Sequence, residues 1–232
     1  MKDFRHGLRH GLSIALGYLS VSFSFGIMSV QAGLTVWQTV LISITNLTSA
    51  GQVAGVGLIA ANAAYLELFL AELVINIRYS LMSLALSQKT NERFGLPHRL
   101  LAAFGITDEI FAVSSIQPAK ISPPYLYGMI LIAFTGWVGG TYLGAAAGTL
   151  LPMTVANALS IALYGMFLAI IIPPARKSKG ILVAVLLSAA MSILLYYFVP
   201  VLSSGFAMII CSVAAALVAA YFFPVAHEEE SA

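Results

Sequence analysis

Residues 36–64 read VWQTVLISITNLTSAGQVAGVGLIAANAA, and the middle of that run decides the fold. A bilayer core takes about 20 apolar residues as one helix, and this run is longer. Its centre, Asn46-Leu47-Thr48-Ser49-Ala50-Gly51-Gln52, places amides, hydroxyls and a glycine where a simple crossing would carry leucine and valine. Irregular backbone is tolerated at membrane depth only against protein or a wet cavity. The run is therefore expected to break at its centre and to present that break to a polar interior.

The flanking sequence is of the same kind. Hydrophobic residues make up 60% of the 232 and charged residues 9%, with a mean hydropathy of +0.95. Soluble domains carry about 25% charged residues, so this chain lacks the polar groups to cover a water-exposed surface. The fold class is an all-α polytopic integral membrane protein, one domain over residues 1–232. It has seven to eight hydrophobic segments, some broken or re-entrant: near 11–33, 36–64, 65–87, 100–118, 124–151, 154–172, 181–199 and 203–223. The alternating strands of about ten residues that mark a membrane barrel are absent. Lys2, Arg5 and Arg9 precede the first apolar run, but no short core closed by small residues follows, so a retained helix is expected rather than a cleaved leader.

Basic residues collect in cytoplasmic loops. The N-terminus and the 173–180 loop, with Arg176, Lys177 and Lys179, are both expected inside. Eight simple crossings allow that but strand Lys89, Arg93 and Arg99 outside. If 36–64 and 100–118 are re-entrant, all three basic clusters become cytoplasmic, and this arrangement is preferred. The Glu228–Glu230 tail is inside in either case.

Polar groups inside apolar segments then carry the functional reading. A charge at mid-bilayer costs roughly 2.5–3.5 kcal/mol on insertion scales, so it persists where it faces a cavity, a partner or a transport path. Arg78 lies in Asn76-Ile77-Arg78-Tyr79, and Asp108 and Glu109 lie in Thr107-Asp108-Glu109 of the next segment. Counted from the loop between them, Arg78 and Glu109 reach the same depth, so an ion pair with Asp108 or Glu109 is expected. One arginine neutralises one carboxylate, and two adjacent carboxylates in a low dielectric resist ionising together. The remaining carboxyl is a proton-carrier candidate. Glu72, Asn76, Tyr79, Ser80 and Ser83 share one helical face, which is expected to look into the bundle. In the first segment, Ser20, Ser22 and Ser24 alternate up to Gly26. Two readings stand: small packing residues on a helix, or an unwound stretch paired with the Asn46–Gln52 break. In the second reading Ser22, Ser24, Gly26, Asn46, Ser49, Gln52 and Asn76 line a substrate site, with half-helix ends at mid-membrane. Gly136, Gly140, Gly144 and Gly148 form a ridge for close helix packing.

Cys211, in an apolar run, reads as a small buried hydrophobe, and the one cysteine excludes a disulfide framework. His6, His10, His98 and His227 fall in terminal or loop stretches, and neither HExxH nor a Walker A motif occurs. No catalytic residues, metal or other cofactor, and no nucleic-acid partner, are expected. The readings left are a secondary transporter, or a channel or scaffold subunit whose ion pair is structural.

The run Gly17–Gly26–Gly33, the Ser49-Ala50-Gly51-Gln52 cluster, Asn76-Ile77-Arg78-Tyr79 and Thr107-Asp108-Glu109 resemble, in order and spacing, the AzlC family of branched-chain amino-acid exporters. The resemblance covers about residues 7–120. It implies efflux of valine, leucine, isoleucine and, as a further substrate, methionine across a bacterial cytoplasmic (inner) membrane, and a small AzlD-type membrane subunit as partner. A homo-oligomer is left open. Where the family commonly has a first-helix proline this chain has Ser20, and where it has a histidine after the arginine this chain has Tyr79. The second departure removes a titratable group and shifts any proton coupling to Asp108, Glu109 or Glu72.

Overall fold

The computed structural model describes residues 2–152, 154, 155, 165, 168 and 171–224. The expected segment 154–172 lies largely outside the described residues, as do His227 and the Glu228–Glu230 tail. The described elements are helices: α1 Lys2–Gln31, α2 Val36–Thr45, α3 Ser49–Ala60, α4 Tyr65–Gln88, α5 Leu96–Phe104, α6 Asp108–Ser115, α7 Pro123–Gly148, α8 Lys179–Phe198 and α9 Ser204–Phe222. Among the described residues, α1, α4, α7, α8 and α9 are long and apolar enough to cross a membrane. The protein is an all-α polytopic membrane protein, as its composition requires.

The glycine ridge organises the bundle. Gly136 faces Ala15, Gly140 faces Leu19 and Ser22, Gly144 faces Phe23, and Gly148 faces Ile27 and Val30. From α1, Gly7 faces Tyr125 and Gly26 faces Thr141. At most of these places a Cβ would meet the partner's backbone, so the two helices touch main chain to main chain. The paired numbers rise together, so α1 and α7 run parallel and start at the same face. Asp3 accepts a hydrogen bond from Ser122 Oγ at 2.7 Å at that face. Of the two readings of Ser20–Gly26, the unwound stretch is absent, since α1 runs unbroken over Lys2–Gln31. Within the continuous α1, Ser22 and Ser29 donate to the carbonyls of Tyr18 and Phe25 one turn back, which satisfies their hydroxyls inside the helix.

The other two breaks are present. The turn after α1 holds Gly33, whose φ of 97° suits glycine, and α2 starts under a reciprocal cap between Thr35 and Gln38. α2 stops at Asn46, and α3 then runs back along α4, with Gly51 against Glu72 and Asn76 and Gly55 against Leu68 and Glu72. Asn62, at φ 53°, turns the chain into α4. The end of α4 is tied to the start of α7: Asn91 N–H donates to Ile121 O at 3.0 Å, and Ile121 N–H to Lys89 O at 2.9 Å. Hence α4 begins at the far face, and 36–64 enters and leaves by that face. The 96–115 hairpin mirrors it. α5 starts beside Tyr127, stops at Gly105, and α6 returns from the level of Tyr18 to that of His10. One long helix followed by a re-entrant hairpin therefore occurs twice, the second copy inverted.

Gly205, at the start of α9, meets Glu67 near the start of α4, and Gly180 meets Phe223 at the other end of the α8–α9 pair. The N-terminus, the 89–95 loop and the start of α8 thus share one face, and so do their basic residues. Cys211 is buried and free.

In a Cys211→Ala background, Asn91→Cys and Ser178→Cys should react with an impermeant thiol reagent from one side, and Asn62→Cys from the other. Gly144→Leu should remove most of the monodisperse protein, since overpacking a seam costs about 1–3 kcal/mol or more. Gly139→Leu, where nothing lies within 4 Å, should leave the yield unchanged by size-exclusion chromatography.

Candidate functional site

The two breaks converge. A cavity of about 490 Å³ is lined by Ile14, Gly17, Tyr18 and Val21 of α1, Leu47 and Ser49 at one break, Thr107, Asp108 and Glu109 at the other, and Tyr79 and Trp137. Tyr18 and Trp137 lie near the middle of α1 and α7, so the cavity sits at mid-membrane depth. The first residues of α3 and α6 both reach it. These half-helices return to opposite faces, so two helix N-termini, each with free amides and a positive dipole end, meet at one polar spot.

The two ends differ chemically. At α6, Thr107 caps the helix by accepting from Ile110 N–H at 3.4 Å, and Asp108 and Glu109 occupy the first turn. The Tyr18 hydroxyl is 2.5 Å from Glu109 Oε2 and 2.6 Å from Thr107 Oγ1, so it can donate to the carboxylate and accept from the threonine. Arg78 Nη1 is 2.9 Å from Asp108 Oδ2, and the guanidinium carbon lies 5.1 Å from the centre of the Tyr79 ring. Among the described residues Glu109 has no cationic partner. At α3, Thr48 stands at the cap position but makes no side-chain cap bond, and of the first turn Ser49 lines the cavity.

Behind the cavity a hydrogen-bonded chain ties the first hairpin to α7. Trp137 Nε1 donates to Gln52 Oε1 at 2.8 Å, Gln52 Nε2 donates to Ser43 Oγ at 3.1 Å, and Ser43 and Thr141 share a bond of 2.8 Å. Trp137 also packs edge-on against Tyr18, with centroids 5.1 Å apart. One aromatic pair thus carries an O–H to the second break and an N–H to the first.

The structure sorts the sequence candidates. Ser49, Asp108 and Glu109 line the cavity, and Arg78 is bound to Asp108. Glu72, Asn76 and Asn46 gather one layer away: Asn76 Nδ2 donates to Glu72 Oε2 at 2.7 Å, and the Asn46 side chain also reaches Glu72. Gln52 is buried in the chain behind the cavity. Ser22 and Gly26 face the α1–α7 seam, Ser24 is buried, and none of the three lines the cavity, because α1 does not unwind. On the polar face of α4, Ser80 is exposed and lies with Ser83 in a separate groove beside Arg99 and Leu100. Sequence reasoning missed Tyr18 and Trp137. The signal available was an O–H and an N–H, each needing a partner, in the middle of apolar helices.

Comparison with known proteins adds the family. The AzlC protein family model matches residues 13–151. A protein of Archaeoglobus fulgidus named an uncharacterized membrane protein is 33% identical over 73% of this chain and 75% of its own. The inner membrane protein YgaZ of Escherichia coli is 25% identical over 85% of this chain and 84% of its own. A membrane protein of Helicobacter pylori is 26% identical over 64% and 66%. No solved structure matches. The chain belongs to the AzlC family of membrane proteins.

Trp137→Phe leaves the buried Gln52 Oε1 without its donor and should cost about 1–3 kcal/mol, read as a lower thermal midpoint of the purified protein. Trp37→Phe, at a position 74% exposed, should leave the midpoint unchanged.

Proposed function

We propose that this AzlC-family protein is a secondary transporter that exports branched-chain amino acids (valine, leucine and isoleucine, with methionine as a further substrate) across the bacterial cytoplasmic membrane. The observation that carries the reading is the mid-membrane cavity between two oppositely entering half-helices, one end bare and the other acidic. A zwitterion with an apolar side chain needs an anion site, a cation site and a dry wall, and the cavity offers all three. The uncapped first turn of α3 with Ser49 suits the carboxylate. Asp108 and Glu109 suit the ammonium. Ile14, Val21, Leu47, Ala112, Val113 and Trp137 suit the branched side chain.

Inverted hairpins around one central site are the recurring plan of alternating-access transporters. In this reading Arg78 holds Asp108 in one state and releases it in another, so that two carboxylates never face an empty cavity unpaired. The Glu109–Tyr18–Thr107 cluster is then the proton-exchanging group. The shared basic face is cytoplasmic by the positive-inside rule, which places the N-terminus inside. A small AzlD-type subunit is the proposed partner.

The test is efflux of preloaded valine, leucine, isoleucine and methionine from cells making the protein with and without such a subunit. Saturable, selective efflux lost in Arg78→Ala at equal protein level is expected. Ohmic, non-saturating flux would make the protein a channel, and normal partner activity with Arg78→Ala a scaffold. Asp108→Asn or Glu109→Gln should alter the pH profile of export, and unchanged profiles in both would remove the proton-coupling role.

A further inference from the structure

Gly7, Gly11, Gly17 and Gly26 lie inside α1, and the seam accounts for all but one of them. A Cβ on Gly7, Gly11 or Gly26 would run into α7, whereas a Cβ on Gly17 would meet nothing within 4 Å. Gly17 stands two residues from Ala15 and two from Leu19, both of which pack on α7 glycines. At about 100° per residue, that turns it to the opposite side of the helix. Glycine inside a helix is less stable than alanine, and here neither a close backbone nor a positive φ calls for it.

What the position does border is the cavity. α1 contributes Ser13, Ile14, Gly17, Tyr18 and Val21 to the lining, which is one helical face. Gly17 comes three residues after Ile14 and four before Val21, so it stands between them in the apolar wall. Its missing side chain leaves a notch between two branched ones. Tyr18, the next residue, is bonded to Glu109 and Thr107, which sets the notch at the level of the acidic helix end.

We propose that Gly17 determines how large a substrate side chain the cavity accepts. The proposal rests on the transport reading above, in which the ammonium lies at Asp108 and Glu109. An amino acid held there turns its side chain to the wall of Ile14 and Val21, and the notch between them receives the far end of that side chain. Valine, one methylene shorter than leucine or isoleucine, needs the notch least. A larger residue at position 17 would fill it from a helix that has no room to retreat, since the other side of α1 is locked against the backbone of α7. One methylene in an apolar pocket is worth about 10–200-fold in selectivity, so a single residue here is enough to set the substrate range.

The test compares Gly17→Ala and Gly17→Val with Gly139→Val, a position equally open but outside the cavity lining. Initial efflux of valine, leucine, isoleucine and methionine is measured at equal, low internal concentration and equal protein level, in the assay described above. Gly17→Val should lower the rates for leucine, isoleucine and methionine relative to valine at least tenfold. Gly17→Ala should lower them less, and Gly139→Val should leave the ratios unchanged. In the purified protein Gly17→Ala should keep or raise the thermal midpoint, whereas Gly26→Ala, with the backbone of Thr141 in its path, should lower it. Gly17→Ala keeps the test decisive if Gly17→Val does not fold. Unchanged ratios, an equal loss for all four substrates, an equal shift in Gly139→Val, or a lower midpoint in Gly17→Ala would overturn the role of Gly17 and leave the transport reading standing. No saturable efflux from the unsubstituted chain would remove the transport reading, and the role of Gly17 with it.

Discussion

The close approach of α1 and α7 is the constraint on which the remaining structure rests. Helices in lipid gain little from burying apolar groups against each other, since the tails are equally apolar, and associate through close packing and interhelical hydrogen bonds. Here glycines on both helices bring main chain against main chain over most of their length. Two long helices held parallel form a rigid wall. A parallel pair also obliges the chain between them to return to its starting face, and α4 alone makes that return. The two polar runs that remain have no crossing left to make, so each must leave by the face it entered.

A hairpin that turns inside the membrane exposes amides and carbonyls that lipid cannot satisfy. The wall supplies what is missing. Tyr18, on α1, reaches the second break through Thr107 and Glu109. Trp137, on α7, reaches the first through Gln52 and Ser43. Because the two rings pack on each other, the breaks are registered against a common reference, and their half-helix ends meet rather than pass. The cavity follows from that registration.

Much of this was legible in the sequence. Asn46–Gln52 announced the first break because amides and hydroxyls cannot sit in lipid without a structural reason, and the second followed from keeping the basic loops on one side. Counting residues outward from the 88–99 loop put Arg78 and Glu109 at one depth, with Asp108 beside them, because a helix converts residue number into distance at a fixed rise; the structure selects Asp108 as the partner. The alternating serines of α1 were ambiguous. Serine can bond the carbonyl one turn back within a helix as readily as it lines an unwound stretch, and only the position of α7 decides between them. Tyr18 and Trp137 were illegible for the same reason: their partners lie about 90 residues away in the chain, on elements whose placement depends on the seam.

The inverted pairing of helix and hairpin gives the cavity two unlike exits. The first hairpin stands between the cavity and the far face, and the second between it and the face that holds the basic loops. In the proposed transport cycle these hairpins are the natural moving parts, since the α1–α7 seam cannot slide without driving glycine backbones into each other. What joins the second hairpin to α4 is different in kind. The Arg78–Asp108 pair is partly exposed, with side chains 41% and 38% accessible, and it is a single charge contact rather than a packed seam. In that proposed cycle, motion of α6 relative to α4 would part the Arg78–Asp108 contact and the bonds of Tyr18 to Thr107 and Glu109, while the glycine seam keeps α1 and α7 together.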